Sequence, residues 1–169
     1  MKQKSRIVYL VCTTLFATME SLTFADGVWT NSAGGAWSVG SNWQEGVAIV
    51  SNGAALFRAA DGAVAVSNDL TTVSLTGLTF NDADGNNAAW TLNGNAFALV
   101  APATVDVRTN TATLAVAVNG TNGVVKNGPG ALRLAGGNKS TVGTTVNAGT
   151  LLVGEASEPG TNALRLAGG

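Results

Sequence analysis

An internal repeat constrains the fold of this chain more than any other feature of its sequence. The segment ALRLAGG at residues 131–137 recurs without change at residues 163–169. The separation of the copies lies within the repeat periods of about 20 to 50 residues that are typical of stacked architectures. A second apolar segment, TLLV, lies between the copies at residues 150–153. Because one period includes both Leu132 and Leu151, we predict that each unit contains two short strands and two turns.

The remaining sequence has the same character. Short alternating apolar segments such as residues 104–118 are separated by Asn-Gly and Asp-Gly pairs, which turn the chain in two residues. We therefore predict an all-β fold for residues 26–169, a single domain built as a right-handed parallel β-helix or a closely related β-solenoid. Residues 26–127 are predicted to form the N-terminal cap and irregular coils, and residues 128–169 the repeats. A β-sandwich is the alternative that the same strand spacing allows.

Composition supports strands and excludes some classes of partner. The chain contains 22 glycines and only 11% charged residues, which is a poor composition for amphipathic helices. Its net charge of −1 gives no electrostatic support to nucleic-acid binding. We therefore predict no nucleic-acid partner.

Residues 128–154 carry a recognisable pattern, in which glycines flank the alternating leucines of one segment and the sequence GTTVNAGTLLVG follows. This pattern resembles the autotransporter-associated β-strand repeat, also called the passenger-associated transport repeat. The close match covers residues 128–154, and a weaker one covers most of the chain from residue 26 onward. Lys139 replaces a threonine of the family's central turn, and the tyrosine of that turn is missing. The positions on the family pattern are Gly128, Gly130, Leu132, Leu134, Gly136, Asn138, residues 143–149, Thr150, Leu151, Val153 and Gly154. The resemblance implies a secreted or cell-surface β-solenoid of the passenger type and implies no chemistry.

Residues 1–25 have the order of charged, apolar and small residues that a secretory signal peptide requires. Three basic residues precede an apolar run at residues 7–19, and the cleavage-type site Thr23-Phe24-Ala25 follows. The run is shorter than the roughly 20 apolar residues that span a bilayer. We therefore predict Sec-type export, cleavage after Ala25, contact with a membrane only during export, and a secreted or outer-membrane-associated location. A buried first strand or helix is the alternative.

Cysteine and histidine are absent after residue 25, since the only cysteine is Cys12 and the chain has no histidine. The predicted mature protein therefore has no disulfide and no cysteine or histidine metal site. Val11 precedes Cys12, whereas a lipoprotein signal has a small residue there. We predict neither a lipid anchor nor a cofactor.

Three of the four tryptophans, Trp29, Trp37 and Trp43, follow the predicted signal peptide closely. A turn at residues 32–35 predicts a hairpin that brings Trp29 and Trp37 together. We favour a structural role, in which the three rings cover the apolar end of the first coil. The alternative is a flat aromatic platform that stacks on sugar rings, so that the chain would act as a carbohydrate-binding module for a surface polysaccharide.

Residues 81–86 (NDADGN) are the one candidate for a metal loop. Asp82 and Asp84 alternate as Ca²⁺ ligands often do, but no late bidentate glutamate follows before Arg108. A polar turn is therefore the favoured interpretation of this segment, and a Ca²⁺ site the weaker one.

Nothing in the sequence resembles a catalytic constellation. Paired carboxylates of glycosidases lie about 5–10 Å apart, but the acidic residues here are scattered among turns, and no histidine is present to serve as a base. Arg133 and Arg165 occupy matching places in the two copies and are predicted to be exposed charges, with a shared polyanion-binding row as the minor alternative. We predict a non-enzymatic structural or adhesive module, with a polysaccharide-degrading β-helix enzyme as the least favoured alternative.

The second copy of the repeat stops at Gly169, before any equivalent of the segment at residues 144–154. We therefore expect an incomplete last coil with uncovered apolar residues, including Leu164 and Leu166. We favour the interpretation that the natural reading frame continues into further repeats. The alternative is self-association of the chain through this edge.

Overall fold

The computed structural model describes residues 26–58, 62–81, 88–120, 123–137, 143–154 and 164–167, with the side chains of residues 101 and 102 left out. In these ranges the chain forms fourteen short β-strands and one turn of 3₁₀-helix at Gly40–Asn42. The strands are β1 Gly27–Trp29, β2 Gly35–Ala36, β3 Ser51–Arg58, β4 Ala63–Asn68, β5 Val73–Asn81, β6 Ala89–Gly94, β7 Phe97–Val107, β8 Thr111–Leu114, β9 Val118–Asn119, β10 Val124–Asn127, β11 Ala131–Leu134, β12 Thr144–Val146, β13 Thr150–Val153 and β14 Arg165–Leu166. The predicted signal peptide lies outside the described residues.

The strands form two parallel sheets, and the chain alternates between them along most of its length. Sheet A has the order β1-β3-β5-β7-β10-β12-β14, with β9 beside the first part of β7. Sheet B has the order β13-β11-β8-β6-β4-β2. Each strand pairs with the equivalent strand of the next coil, which defines a β-solenoid. The all-β solenoid prediction is therefore confirmed, and the β-sandwich alternative is wrong.

The coils become shorter and more regular along the chain. In sheet A, Leu78 lies opposite Val105, Val105 opposite Lys126, and Lys126 opposite Val146. The first of these steps along the chain is clearly longer than the two that follow, which are nearly equal. The spacing of Leu132 and Leu151 therefore corresponds to one coil in the C-terminal part of the solenoid only. Leu132 lies opposite Leu151, so the segments that contain these two leucines are equivalent strands of successive coils and not the two strands of one unit.

The core lies between the two sheets, because alternate residues of the strands from β3 to β12 point inward and repeat in register. One inward column in sheet B contains Val66, Leu92, Leu114 and Leu134, all buried. In sheet A the rings of Phe57 and Phe80 stack 4.9 Å apart. Identical positions on neighbouring coils thus bury one another, which no single coil could do.

The two copies of ALRLAGG do not occupy equivalent places. Residues 131–134 form β11 in sheet B, whereas Arg165 and Leu166 form β14 in sheet A. The offset between the copies is therefore not the coil length. Arg133 and Arg165 are both exposed as predicted, but they lie in different sheets and do not form a shared row.

No helix of the described residues is long and apolar enough to cross a membrane.

Candidate functional site

The three N-terminal tryptophans lie inside the core. Trp29 and Trp37 are 0% exposed and Trp43 is 2% exposed. The ring of Trp43 makes edge contacts with both others, at centroid distances of 5.2 Å to Trp29 and 4.7 Å to Trp37. The indole N–H groups of Trp29, Trp37 and Trp43 each donate to a backbone carbonyl, of Asn31, Ile49 and Trp37 respectively. Their burial agrees with the predicted capping role.

This arrangement differs in two ways from the alternative platform. The rings present no exposed face to a sugar, because the first coil and its connections enclose them. The predicted hairpin is also wrong, since β1 and β2 belong to different sheets. Trp43, which forms an antiparallel bridge with Trp29, fills the place between the two sheets.

The segment at residues 40–46, which we call the capping segment, seals the N-terminal end of the solenoid. On the outer edge of β1, the Val28 carbonyl accepts from the Gln44 N–H at 2.8 Å, and the Val28 N–H donates to the Glu45 carboxylate at 3.3 Å. On the outer edge of β2, the Ala36 carbonyl accepts from the Asn42 side-chain amide at 2.8 Å. The capping segment thus occupies the hydrogen-bonding groups that an edge strand would otherwise offer to another chain.

Asp82 and Asp84 lie outside the described residues, so the candidate Ca²⁺ loop stays a prediction. Within the described ranges, no group of three or more potential metal-binding side chains occurs.

Every acidic side chain of the described residues is engaged in a local bond. The Asp26 carboxylate accepts from the Ala54 N–H, and Glu45 from the Val28 N–H. The hydroxyl and N–H of Ser38 hold the pKa of Asp69 below its usual value. Asp106 forms an ion pair with Arg108 at 2.9 Å. These acids lie on separate turns and strands, and no two of them form a pair across a cleft.

The register of sheet A forms an outward row that the sequence did not reveal. Arg58 lies opposite Asn81, and the Arg108 N–H bonds to the Phe80 carbonyl of the same neighbouring strand, which places Arg108 next in the row. The three side chains line a groove of about 370 Å³ together with the acidic side chain of Asp26. Neighbouring strands are about 4.8 Å apart, so the two guanidinium groups alternate with an amide along the solenoid axis.

A second groove, of about 320 Å³, crosses the opposite end of the strands of sheet A. Ser51, Ser74, Ala98 and Asn119 follow one another in register along its floor. Its lining residues are uncharged. This surface offers hydroxyl and amide groups for hydrogen bonds to a neutral ligand, and it holds no titratable group for acid–base chemistry.

Lys126 is buried, although its alternation places it among apolar residues. It points inward between Val105 and Val146 of the neighbouring coils, and its side chain is fully enclosed. Its ammonium group donates to the carbonyls of Asn127, Gly128 and Ala148 at 2.6, 2.7 and 3.2 Å. It therefore joins two successive corners of the solenoid. Among the described residues, no other cationic side chain points inward at these corners.

Burial lowers the pKa of Lys126 from its ordinary 10.5, and the charge of Asp106 partly opposes this shift. Between the lowered pKa and 10.5, the unfolded chain binds more protons than the folded chain. We therefore expect the free energy of unfolding to rise with pH in this alkaline window. Residues 26–169 contain no histidine, cysteine or tyrosine, so few other groups titrate there.

The measurement is denaturant unfolding of residues 26–169 at a series of alkaline pH values. The rise should be absent in Lys126→Met, which keeps the length of the side chain and lacks the titrating group. Equal slopes for the two proteins would contradict the assignment to Lys126.

The chain matches no known family model, and searches of curated proteins and of solved structures find no match either. Function is therefore inferred from the geometry of the solenoid and from the repeat pattern of residues 128–154.

Proposed function

We propose that this protein is a non-enzymatic structural or adhesive module of the passenger type, exported and displayed at the cell surface or released. The observation that carries the proposal is the solenoid itself, a stack of short coils with an apolar interior and an outer surface of threonine, serine, asparagine and alanine side chains. Such stacking extends a regular surface along one axis with little charge. The resemblance of residues 128–154 to the passenger-associated repeat supports the same role.

The use of the acidic side chains also supports a non-enzymatic role. A glycosidase needs one carboxyl group to donate a proton and a second to act as base or nucleophile. Asp26, Glu45 and Asp69 instead accept bonds from backbone N–H groups, and Asp106 is neutralised by Arg108. These carboxylates stabilise turns and edges.

Export is tested by expressing the full chain in a Gram-negative host and sequencing the N-terminus of the product outside the cytoplasm. We expect a single product that begins at Asp26, because the small-residue site ends at Ala25. Replacing Ala25 by a bulky residue, as in Ala25→Leu, should block processing. A cytoplasmic product that still begins at Met1 would contradict the proposal.

Binding of an acidic polysaccharide is the second candidate function, and the row of Arg58, Asn81 and Arg108 favours it. Arg58 has no ion pair with any described residue, so its guanidinium is available to a carboxylate or sulfate group. Trp37→Ala is not a useful test of glycan binding, because this ring is buried in the core.

The discriminating experiment is retention of the protein on an immobilised acidic polysaccharide. If the chain is a structural module only, Arg58→Gln should elute at the same salt concentration as the wild type. Earlier elution of Arg58→Gln, with unchanged elution of the exposed control Arg133→Gln, would favour the second candidate.

A further inference from the structure

One residue of strand β3 lies outside the regular pairing of sheet A. Ser51 lies opposite Ser74, and the next pair along the strands is Gly53 with Leu75. The intervening Asn52 therefore has no opposite residue in β5 and forms a β-bulge, in which one extra residue is left out of the ladder. The register shifts again directly after Gly53. Gly53 is thus joined to β5 by a single rung between two irregularities.

Asn52 also has an unusual backbone conformation. Its φ angle is +53°, in the left-handed region that asparagine adopts more readily than most other residues. Its side chain is exposed and forms no hydrogen bond with the described residues. The side-chain amide is therefore available to the peptide group that joins it to Gly53, and this glycine has no Cβ atom to obstruct an approach.

Three other Asn-Gly pairs lie in the described part of the chain, and packing restricts all of them. Their asparagines, Asn93, Asn119 and Asn127, each lie opposite a residue of the neighbouring coil without a register shift. A Cβ atom on any of the three following glycines would lie 2.3–2.6 Å from a backbone carbonyl oxygen of that coil. The Asn127 side chain also accepts a hydrogen bond from Asn147 at 2.8 Å. Asn52 differs from these three because the ladder is interrupted at its position.

We propose that Asn52 is a site of spontaneous deamidation in the folded protein. Asparagine is among the thermolabile residues of proteins. The backbone nitrogen of Gly53 attacks the side-chain carbon Cγ of Asn52, and a new C–N bond forms. The bond from Cγ to Nδ2 breaks, and the amide group leaves as ammonia with the proton of the attacking nitrogen. Water then opens the cyclic succinimide, which gives aspartate or isoaspartate, and no other reactant is required.

Both products replace a neutral amide by a carboxylate. The preceding residues, Val50 and Ser51, line the uncharged groove of sheet A, so the new charge arises directly beside this groove. Isoaspartate also places the Cβ atom of residue 52 in the main chain. The bulge accommodates this added atom, because residue 52 is already outside the ladder.

The test is peptide mapping by mass spectrometry after incubation of the purified folded protein at mildly alkaline pH, where the attacking nitrogen loses its proton more readily. We expect Asn52 to convert at least about tenfold faster than Asn93, Asn119 and Asn127, because these three must first open the ladder locally. Trypsin releases Asn52 in the peptide that ends at Arg58. Equal rates for Asn52 and any of the other three in the folded protein would overturn the proposal.

A parallel sample in guanidinium chloride provides the matched comparison. Unfolding removes the packing, so all four pairs should convert at similar rates there. An Asn52 that keeps its amide in the folded protein, over a time in which the unfolded chain converts, would also overturn the proposal.

Asn110 separates the effect of backbone conformation from that of the following residue. Its φ angle is +52°, almost the same as that of Asn52, but Thr111 follows it. We expect Asn110 to keep its amide in the folded protein, because the side chain of threonine obstructs attack by its backbone nitrogen. Conversion of Asn110 as fast as Asn52 would overturn the role assigned to Gly53.

Discussion

Replacing Trp37 by alanine is expected to lower the free energy of unfolding by about 3–5 kcal/mol, the usual cost of removing a large aromatic side chain from a core. Trp37 is fully buried and contacts Trp43 and Phe97 at centroid distances of 4.7 and 4.9 Å. Trp37 lies between the capping segment and the first regular coils. The cavity left by its removal would therefore weaken the packing of the capping segment against the solenoid. Denaturant unfolding, followed by far-ultraviolet circular dichroism, measures the change.

Comparing Trp37 with Trp90 separates the contribution of the indole hydrogen bond from that of side-chain packing. The Trp37 indole N–H donates to the Ile49 carbonyl at 2.7 Å, whereas the N–H of Trp90, which is also buried, finds no acceptor among the described residues. Trp37→Phe leaves the Ile49 carbonyl unpaired, which costs about 1–3 kcal/mol. Trp90→Phe removes an unpaired donor, so we expect it to cost less than Trp37→Phe. The reverse order would show that the indole bonds do not stabilise the capped end.

Replacing Gly136 by alanine is expected to destabilise the C-terminal coils by about 3 kcal/mol, the order of cost for a clash that a packed backbone cannot relieve. A Cβ atom at Gly136 would lie 2.2–2.4 Å from the backbone atoms of Val116 in the preceding coil. Backbone cannot rotate away as a side chain does, so the two coils would have to separate at this corner. Thermal unfolding of the purified variant measures the loss.

Gly154 provides the control, because it follows β13 in the next coil and has space for a side chain. Among the described residues, a Cβ atom there would meet only the Leu134 carbonyl, at 3.6 Å, which is an ordinary contact. We expect Gly154→Ala to be neutral or slightly stabilising, because alanine restricts the unfolded chain. Equal losses for both variants would mean that coil spacing at Gly136 does not limit stability.

The class of fold was predictable from the sequence because apolar alternation and turn residues are local signals. The alternation of residues 104–118 and the short apolar segments around Leu132 and Leu151 indicate short strands, and strands are found at these places. Burial of the N-terminal tryptophans also follows from a general need, since a stack of coils must cover its first apolar layer.

The sheet that a given strand joins could not be predicted from local sequence signals. Only a short corner separates β10 from β11, and it leads from sheet A to sheet B. The second ALRLAGG copy follows β13, which already lies in sheet B, so the chain returns to sheet A at β14. The same segment therefore lies in different sheets in its two copies. The sheet that holds the preceding strand determines the sheet that the segment joins.

Register also decided the features that bear on function. The register of β10 directs Lys126 inward, although its charge alone would predict an outward position. A register shift of one residue would move every side chain of this strand to the opposite face. Arg58, Asn81 and Arg108 are far apart in sequence and become neighbours only when coils of unequal length are stacked.

What the sequence determined by itself is the type of structure: short parallel strands, tight polar turns and an apolar end that requires covering. Tertiary structure alone decided which residues form rows and how the N-terminal end is sealed. The physical reason is that strand propensity and turn chemistry act within a few residues. Rows and edges arise from pairing between strands that lie a whole coil apart in the chain, where small differences in loop length set the register.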